Sequence, residues 1–522
     1  MNALSGAVVL LAGAATLVAA PAVHAQAAPE RRVPLATVTV QTRTPGHQIA
    51  RDFLGFSLEV STLGQGIGAF AGANPQGGEP AEQIVYALGH PGSPNDVFFR
   101  FMRNLGPGIL RLGGNSQDNS CWDRQTAPHP EGCDAGLDEY DLRLFSEAAR
   151  EGGWQLIVGI NLKQNSPTWA LREVEDGIAR EIAPEQVLAI EPGNEPDLFT
   201  RTPYRAATYS PQGNAQDFLA YLHAFQASPA ARRYALVGPA TCCGWRNPQG
   251  LAAFVDGVGR GNLKWITVHN YSATTCNGRT LSIAQLLSPE LMNRFNEEAR
   301  PLAAVARERS LPIAMAETNS ASCGGMPGVS NAFAAALWGL DYAFSLVGDG
   351  YVNLDFHFSY RPGGGSSYNP VDTYGTQDAR GRWTYRNVAR PLYYAMYLFA
   401  QHAAGERLLP AGIVTGRNVR AYAASRCTGC AVKVFVLNKD TSAAGEVRVH
   451  LDRRMGSGSL LLLDAPSLGA LAPDVRYGGQ QFNSDGVISA PVTRAVTPDA
   501  RGDYTFTLPN AAIAVLTVAP LR

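Results

Sequence analysis

Between roughly residues 50 and 360, eight short apolar runs alternate with amphipathic stretches, a rhythm that few folds accommodate. The runs are Phe53–Val60, Ile109–Gly113, Gln155–Asn161, Val187–Glu191, Ala235–Ala240, Trp265–Asn270, Ile313–Glu317 and Val352–Phe358. They are nearly continuous in apolar character, as parallel strands buried on both faces should be. Helical patterns fall between them at Asn95–Asn104, Asp138–Glu151, Thr168–Ile182, Ala215–Ala227, Ile283–Arg309 and Ser330–Leu346. Eight βα units in series predict an α/β fold, a closed (β/α)8 TIM barrel whose chemistry gathers at the carboxyl ends of its strands.

Several of those ends are polar. Glu59 ends the first run, Gly113-Gly114-Asn115 the second and Asn161 the third. Asn194-Glu195 follows the fourth, His269-Asn270-Tyr271 closes the sixth and Glu317 closes the seventh. One polar strand end is ordinarily a cap, but six at the same end of a barrel predict a common cleft. The fourth is the most pointed: Glu191-Pro192-Gly193-Asn194-Glu195-Pro196 cannot continue as strand or helix, so Asn194 and Glu195 are expected at the mouth of a strand.

After Phe358 the pattern changes. Gly363–Ser367 reads as a flexible loop and Pro391–Gln401 as a last helix under the barrel. From about 410 come short alternating stretches: Val419–Ala424, Ala431–Asn438, Glu446–Leu451, Ser459–Leu463, Val487–Val492, Tyr504–Leu508 and Ala512–Ala519. Turn residues separate them, the rhythm of a C-terminal antiparallel β-sandwich. The expected division is a signal peptide at 1–25, an N-terminal segment at 26–48 whose run Thr37–Val40 adds a strand to the sandwich, a catalytic barrel at 49–400 and the sandwich at 401–522. A chain of 522 residues suits a large barrel with a small partner.

Charge excludes some partners. The formal net charge is −1 and lysine occurs only at 163, 264, 433 and 439, so a nucleic acid has no electrostatic track to follow. Gly6–Ala22 carries no charge and leads to Val23-His24-Ala25, a leader pattern with cleavage near Ala25 or Ala28, although no Lys or Arg precedes it. The apolar run is shorter than a bilayer span. The expectation is a secreted or periplasmic protein without stable membrane insertion in its mature form. Eight cysteines suit export. Cys121 and Cys133 bracket one loop and are expected to pair, and Cys427 and Cys430 are placed to close a tight turn. Cys242, Cys243, Cys276 and Cys323 allow three pairings.

Two glutamates on separate strand ends are what a retaining glycosidase requires, with carboxyl groups about 5–5.5 Å apart. One attacks the anomeric carbon, while the other protonates the leaving oxygen and later deprotonates water. Glu195 is assigned as acid/base and Glu317 as nucleophile; Asn194 is suited to donate to the sugar 2-hydroxyl. His269 and Tyr271 stand where they can steer the proton state of either acid. No cofactor or metal is expected: His269 and His357 lack the spacing of a metal motif. Arg111 and Arg361 lie near the rim, with an ion pair inside the barrel as their expected use.

Asn194-Glu195-Pro196, His269-Asn270-Tyr271, Glu317-Thr318-Asn319-Ser320-Ala321 with Gly324-Gly325, and Gly365-Ser366-Ser367-Tyr368-Asn369-Pro370 together resemble glycoside hydrolase family 79 of clan A. That family holds β-glucuronidases and heparanases. The resemblance spans the barrel in order and implies the same acid/base and nucleophile. It further implies that His269, Tyr271 and Tyr368 line the sugar pocket, with Glu59 and Asn115 among the substrate-binding residues. The turn around Gly324 would give backbone donors to a substrate carboxylate, and Glu59 would hold a ring hydroxyl. Ser322-Cys323 stand where heparanase-like members carry Tyr then Gly, so part of that clamp is expected from elsewhere. The turn is more similar to microbial exo-acting enzymes. The implied activity is retaining exo-hydrolysis of terminal β-D-glucuronic acid from glycans or glycoconjugates. The alternatives are a heparanase-like endo-enzyme, a clan-A glycosidase for a neutral sugar, a non-catalytic carbohydrate-binding protein and a metallohydrolase.

Overall fold

The computed structural model describes residues 34–60, 94–122, 135–201, 204–358, 366–377, 379–380 and 383–521. The expected leader, Cys133 and Arg361 lie outside them. Eight parallel strands form one sheet: β1 (Leu54–Glu59), β2 (Ile109–Gly113), β3 (Gln155–Ile160), β4 (Val187–Pro192), β5 (Val237–Thr241), β6 (Trp265–Thr274), β7 (Ile313–Ser322) and β8 (Asn353–Phe358). Their order is β4-β3-β2-β1-β8-β7-β6-β5. A parallel bridge between Ile190 and Leu236, with Ile190 N–H donating to Ala235 O at 2.9 Å, joins β4 to β5 and closes the ring.

Side chains two apart along a strand share a face. Ile109, Ile157, Ala189 and Val237 form a small apolar cluster inside the barrel. One step further along, Arg111 and Glu191 replace the aliphatics of β2 and β4, both fully buried. The barrel is therefore apolar at its floor and ionic just below its rim.

β6 and β7 run several residues beyond their expected ends and pair as far as Ser322 with Thr274. Glu317 consequently stands within its strand, not at its end, and the register of β7 against β6 slips between Met315 and Glu317. Such an irregularity re-aims the side chain that follows it.

The long helix expected before β7 is two helices, Ile283–Leu287 and Pro289–Glu308. Ser288 restarts it: its hydroxyl accepts Leu291 N–H, and Pro289 occupies the first turn. A further helix, Pro248–Val258, follows β5 where none was expected, although Asn247-Pro248 is a legible start signal. The stretch after β3 divides into Pro167–Arg172, a wide-wound turn Glu173–Ile178 and Ala179–Glu181.

Strand Ala36–Val40 pairs antiparallel with Ala411–Val414 and parallel with Gly445–Leu451, which in turn pairs with Tyr504–Leu508. The facing sheet runs Arg407–Leu409, Val419–Ser425, Val432–Asn438, Ala512–Val518, Gly458–Asp464 and Arg476–Tyr477, with Arg494–Val496 also on Gly458–Asp464. The expected strand Val487–Val492 does not form. It makes an isolated bridge from Ile488 to Phe482 and single hydrogen bonds at Val487 and Val492 but no ladder, Gly486 turns the chain at φ +71°, and Pro491 has no N–H to give.

Helix Phe333–Asp349 is apolar on nearly all sides because barrel and sandwich both cover it. Phe344 stacks on Tyr422 at 4.6 Å and meets Phe435 at 4.8 Å. Beside them buried Asp341 takes hydrogen bonds from Lys439 Nζ, also buried, and from Tyr422 OH, both at 2.5 Å.

Candidate active site

Five strands deliver polar groups to one point. Arg111 on β2, entirely buried, donates from Nε to Glu191 Oε2 at 2.6 Å and from Nη1 to Ser57 Oγ at 3.0 Å. The same Nη1 donates to Glu317 Oε2 at 2.9 Å, and Nη2 to Asn194 Oδ1 at 2.9 Å. One planar guanidinium thus fixes Glu317 and Asn194 against each other. Tyr271 OH donates to the other oxygen of Glu317, Oε1, at 2.9 Å.

The chain past β4 is held as tightly. Asn194 N–H donates to Asp118 Oδ2 at 2.8 Å, while Asp118 Oδ1 accepts Leu162 N–H at 2.7 Å. Glu195 has left-handed backbone, φ 51° and ψ 51°, and its N–H donates to Ala240 O of β5 at 2.9 Å. A non-glycine residue in that region persists only where its surroundings demand it. Glu195 Oε1 lies 3.1 Å from His269 Nδ1, and that nitrogen is 3.9 Å from Glu317 Oε2. Carboxylate oxygens of Glu195 and Glu317 come within 4.8 Å of each other.

The two acids are pushed in opposite directions. Burial, reinforced by the charges of Glu317 and Asp197, raises Glu195 well above the usual carboxylate range against the pull of Arg111. Burial would raise Glu317 too, but His357, His269, Arg111 and the Tyr271 hydroxyl outweigh it and hold the carboxyl at about 2. His269, pushed down to about 4 by burial and by Arg111, is neutral above that pH. Where His269 is neutral, the Arg111 guanidinium and the Tyr271 hydroxyl still favour ionised Glu317. Tyr271 is itself raised by burial and by Glu317, so it stays a donor.

Around this pair opens a cleft of about 1140 Å³, lined by Glu59, Asn115, Glu195, His269, Tyr271, Glu317, His357 and Tyr368 among others. Glu59 is tied down by Ser116, whose N–H and hydroxyl donate to Oε2 at 2.9 and 2.6 Å, and by Asn115 N–H on Oε1 at 3.2 Å. His357 Nε2 is 3.7 Å from Glu59 Oε1, and its Nδ1 is 3.7 Å from Glu317 Oε2. Tyr368 is buried with its ring 6.2 Å from that of Tyr271.

Gly324 departs from expectation. Ser322 and Cys323 line the cleft and Gly324 does not. Cys323, Gly324 and Gly325 are consecutively left-handed, and Gly324 O accepts Ser367 N–H at 2.6 Å, folding the turn back onto the loop that carries Tyr368. Of the four cysteines left open, Cys276 pairs with Cys323 and the adjacent Cys242 and Cys243 pair with each other. Cys427 and Cys430 close their turn.

Among the described residues, two groupings have the residue types of a metal site. Asp197 lies near Cys242 and Cys243, but the sulfurs are bonded to each other and offer no thiolate. Glu195, His269 and Glu317 converge, but a buried guanidinium already sits 2.9 Å from Glu317 where a cation would be repelled.

Sequence reasoning missed the group at the centre. Arg111 does form the expected ion pair, with Glu191, yet it also reaches Glu317 and Asn194. A charged residue inside an otherwise aliphatic strand, Ile109-Leu110-Arg111-Leu112-Gly113, was the available signal. Ser57, Asp118, Glu191 and Asp197 carried no comparable mark.

No protein-family model matches the chain. Curated relatives include a β-glucuronidase of Neurospora crassa, 22% identical over 64% of this chain and 62% of the relative. A β-glucuronidase of Aspergillus niger is 24% identical over 50% of this chain and 52% of the relative. The chain therefore spans less than two thirds of the length of either. Among solved structures, a 4-O-α-L-rhamnosyl-β-D-glucuronidase of Fusarium oxysporum 12S covers 92% of this chain and is matched over its full length, at TM-score 0.71 and 20% identity. A family 51 arabinofuranosidase of Xanthomonas axonopodis pv. citri covers 93% and is likewise matched in full, at TM-score 0.65 and 14% identity. In sequence the chain is thus similar to β-glucuronidases, and the likeness to these solved structures shows its fold, a (β/α)8 barrel with an antiparallel β-sandwich.

Proposed function

We propose that this chain is a retaining exo-β-glucuronidase, with Glu317 as nucleophile and Glu195 as acid/base. The observation that carries the reading is the meeting of two carboxyl groups within 4.8 Å that are driven to opposite protonation states. That separation suits double displacement, since inverting enzymes leave about 6.5–9.5 Å for a water. Ionised Glu317 attacks the anomeric carbon as protonated Glu195 gives its proton to the departing oxygen. Water then enters, Glu195 removes its proton, and the bond from sugar to Glu317 breaks with retention at the anomeric centre.

The surrounding residues have definite tasks in this scheme. Arg111 neutralises the spare oxygen of Glu317 and, by taking Asn194 Oδ1, leaves the Asn194 amide hydrogens for the sugar 2-hydroxyl. Neutral His269 beside Glu195 offers a hydrogen-bond partner without a charge that would strip the acid of its proton. Tyr271, Tyr368 and Cys323 supply neutral wall on the nucleophile side, where a uronate carboxylate can be satisfied by hydroxyl and backbone donors. Glucuronide preference draws its support from the named relatives. The β-glucuronidases carry it, and the arabinofuranosidase likeness keeps a neutral sugar as second reading.

The test is a panel of p-nitrophenyl β-D-glucuronide, β-D-glucoside and α-L-arabinofuranoside, with the first-formed anomer read by proton NMR. Glucuronide turnover releasing the β-anomer first is the expected result. An α-anomer, or faster turnover of a neutral sugar, overturns the reading.

A further inference from the structure

The geometry points to the adjacent-cysteine disulfide Cys242–Cys243, clamped by Asp197, as the wall of the leaving-group subsite and the device that positions Glu195. The inference rests on the glycosidase reading above and concerns a part of the cleft to which that mechanism gives no task. The ligand class is the ring of the leaving group, a sugar or other alcohol whose departure needs a proton.

Consecutive cysteines bonded to each other make a closed ring of backbone and sulfur, so the direction of their N–H groups is fixed. Asp197, two residues after Glu195 and buried, accepts those groups: Cys243 N–H on Oδ2 at 2.7 Å and Cys242 N–H on Oδ1 at 3.3 Å. Trp245 N–H adds a contact to Oδ2 at 3.4 Å. From the other side, Arg246 Nε donates to Cys242 O at 2.6 Å. Glu195 N–H on Ala240 O ties the same two loops together one turn earlier. The loop carrying the acid is therefore tied to the loop carrying the disulfide on one side, as Asp118 and Arg111 tie it through Asn194 on the other.

The placement is as telling as the bonding. Cys242 and Cys243 line the same cleft as Glu195 and Leu198, and Cys243 is exposed. A proton donor stands beside the oxygen it protonates, so surface just beyond Glu195 faces the departing group. Two linked sulfurs give that surface a polarizable, weakly hydrated patch suited to the apolar face of a ring. The charge of Asp197 also favours retention of the proton on Glu195. With its charge fixed by three backbone donors, the clamp couples subsite wall to proton donor.

The experiment compares Cys242→Ser/Cys243→Ser and, separately, Asp197→Asn with the native enzyme on β-glucuronides of graded leaving-group pKa, from p-nitrophenol to methanol and a neutral monosaccharide. The Cys427→Ser/Cys430→Ser variant, altered in the sandwich, is the control. Expected is a tenfold or greater loss of kcat/KM on the poor leaving groups with less than about threefold on p-nitrophenol, hence a steeper dependence on leaving-group pKa. The KM of the saccharide should also rise in the cysteine variant. Equal losses at every leaving-group pKa, or none, overturn the inference, as does the same steepening in the control. Asp197→Asn keeps the test alive if the cysteine variant does not fold. A native enzyme that hydrolyses no glucuronide sinks the functional reading and this inference with it; native activity with uniform losses sinks the inference alone.

Discussion

Arg111→Met removes one of the charges that hold Glu317 ionised while keeping an unbranched side chain of comparable length. Nη1 stands 2.9 Å from Glu317 Oε2. At an effective dielectric of about 20 that contact is worth about 6 kcal/mol, or about 4 pKa units. Glu191 shares the same guanidinium from 2.6 Å, so the shift falling on Glu317 is smaller, about 2–3 units. Glu317 starts near 2, and only its ionised form can attack. The acid limb of kcat/KM, below the assay range in the native enzyme, should therefore rise to about pH 4–5 in the variant. Activity is lost as pH falls through that limb and partly regained above it. Arg111→Lys restores charge without the planar fork: its acid limb should stay low while kcat drops, because one ammonium cannot hold Glu191, Glu317 and Asn194 together. The assay is the pH dependence of kcat/KM on an aryl glucuronide. An Arg111→Met profile parallel to the native one, lowered by the same factor at every pH, refutes the reasoning. The measurement belongs at low temperature, since breaking a buried charge network costs about 3–5 kcal/mol of stability.

Glu317→Gln should abolish turnover of every substrate and leave no covalent adduct with a 2-fluoro glucuronyl inactivator, read by intact mass. Glu195→Ala should lose at least about a hundredfold on alkyl glucuronides and far less on p-nitrophenyl glucuronide, which leaves without a proton; equal losses count against its role. Glu173 is buried, raised by that burial to about 8, and its Oε1 has no hydrogen-bond partner. The folded state therefore keeps a proton that the unfolded chain releases near its ordinary 4.5, so stability falls as pH rises from 4.5 to 8. Glu173→Gln should raise the melting temperature at pH 8 by the equivalent of about 4 kcal/mol and leave it nearly unchanged at pH 4.5. Asp341→Asn strands the fully buried Lys439 ammonium, 2.5 Å away, and should cost about 3–5 kcal/mol in denaturant unfolding. Adding Lys439→Met to it should recover part of that loss.

The residues that do the chemistry in this scheme were legible because turns and strand ends advertise them. Glu195 sits in a Pro-Gly-Asn-Glu-Pro break that permits neither strand nor helix, and Glu317 interrupts an aliphatic run. What holds them was hidden. Arg111, Glu191, Ser57 and Asp118 meet only because β1 to β4 are neighbours in a ring, and nothing in their local sequence encodes that distance. The helix Pro248–Val258 was missed although its start was marked, and Val487–Val492 was taken for a strand because alternation alone does not secure a hydrogen-bonding neighbour.

Local patterning by itself determined the count of strands, their parallel burial, the sandwich rhythm and the two acids, because hydrophobic period and backbone restriction act over a few residues. The tertiary structure alone decided the charges of those acids. A carboxyl group takes or refuses a proton according to what burial removes and which dipoles and ions face it. Those partners arrive from other strands of the ring, Tyr271 from 46 residues before Glu317 and Arg111 from 206.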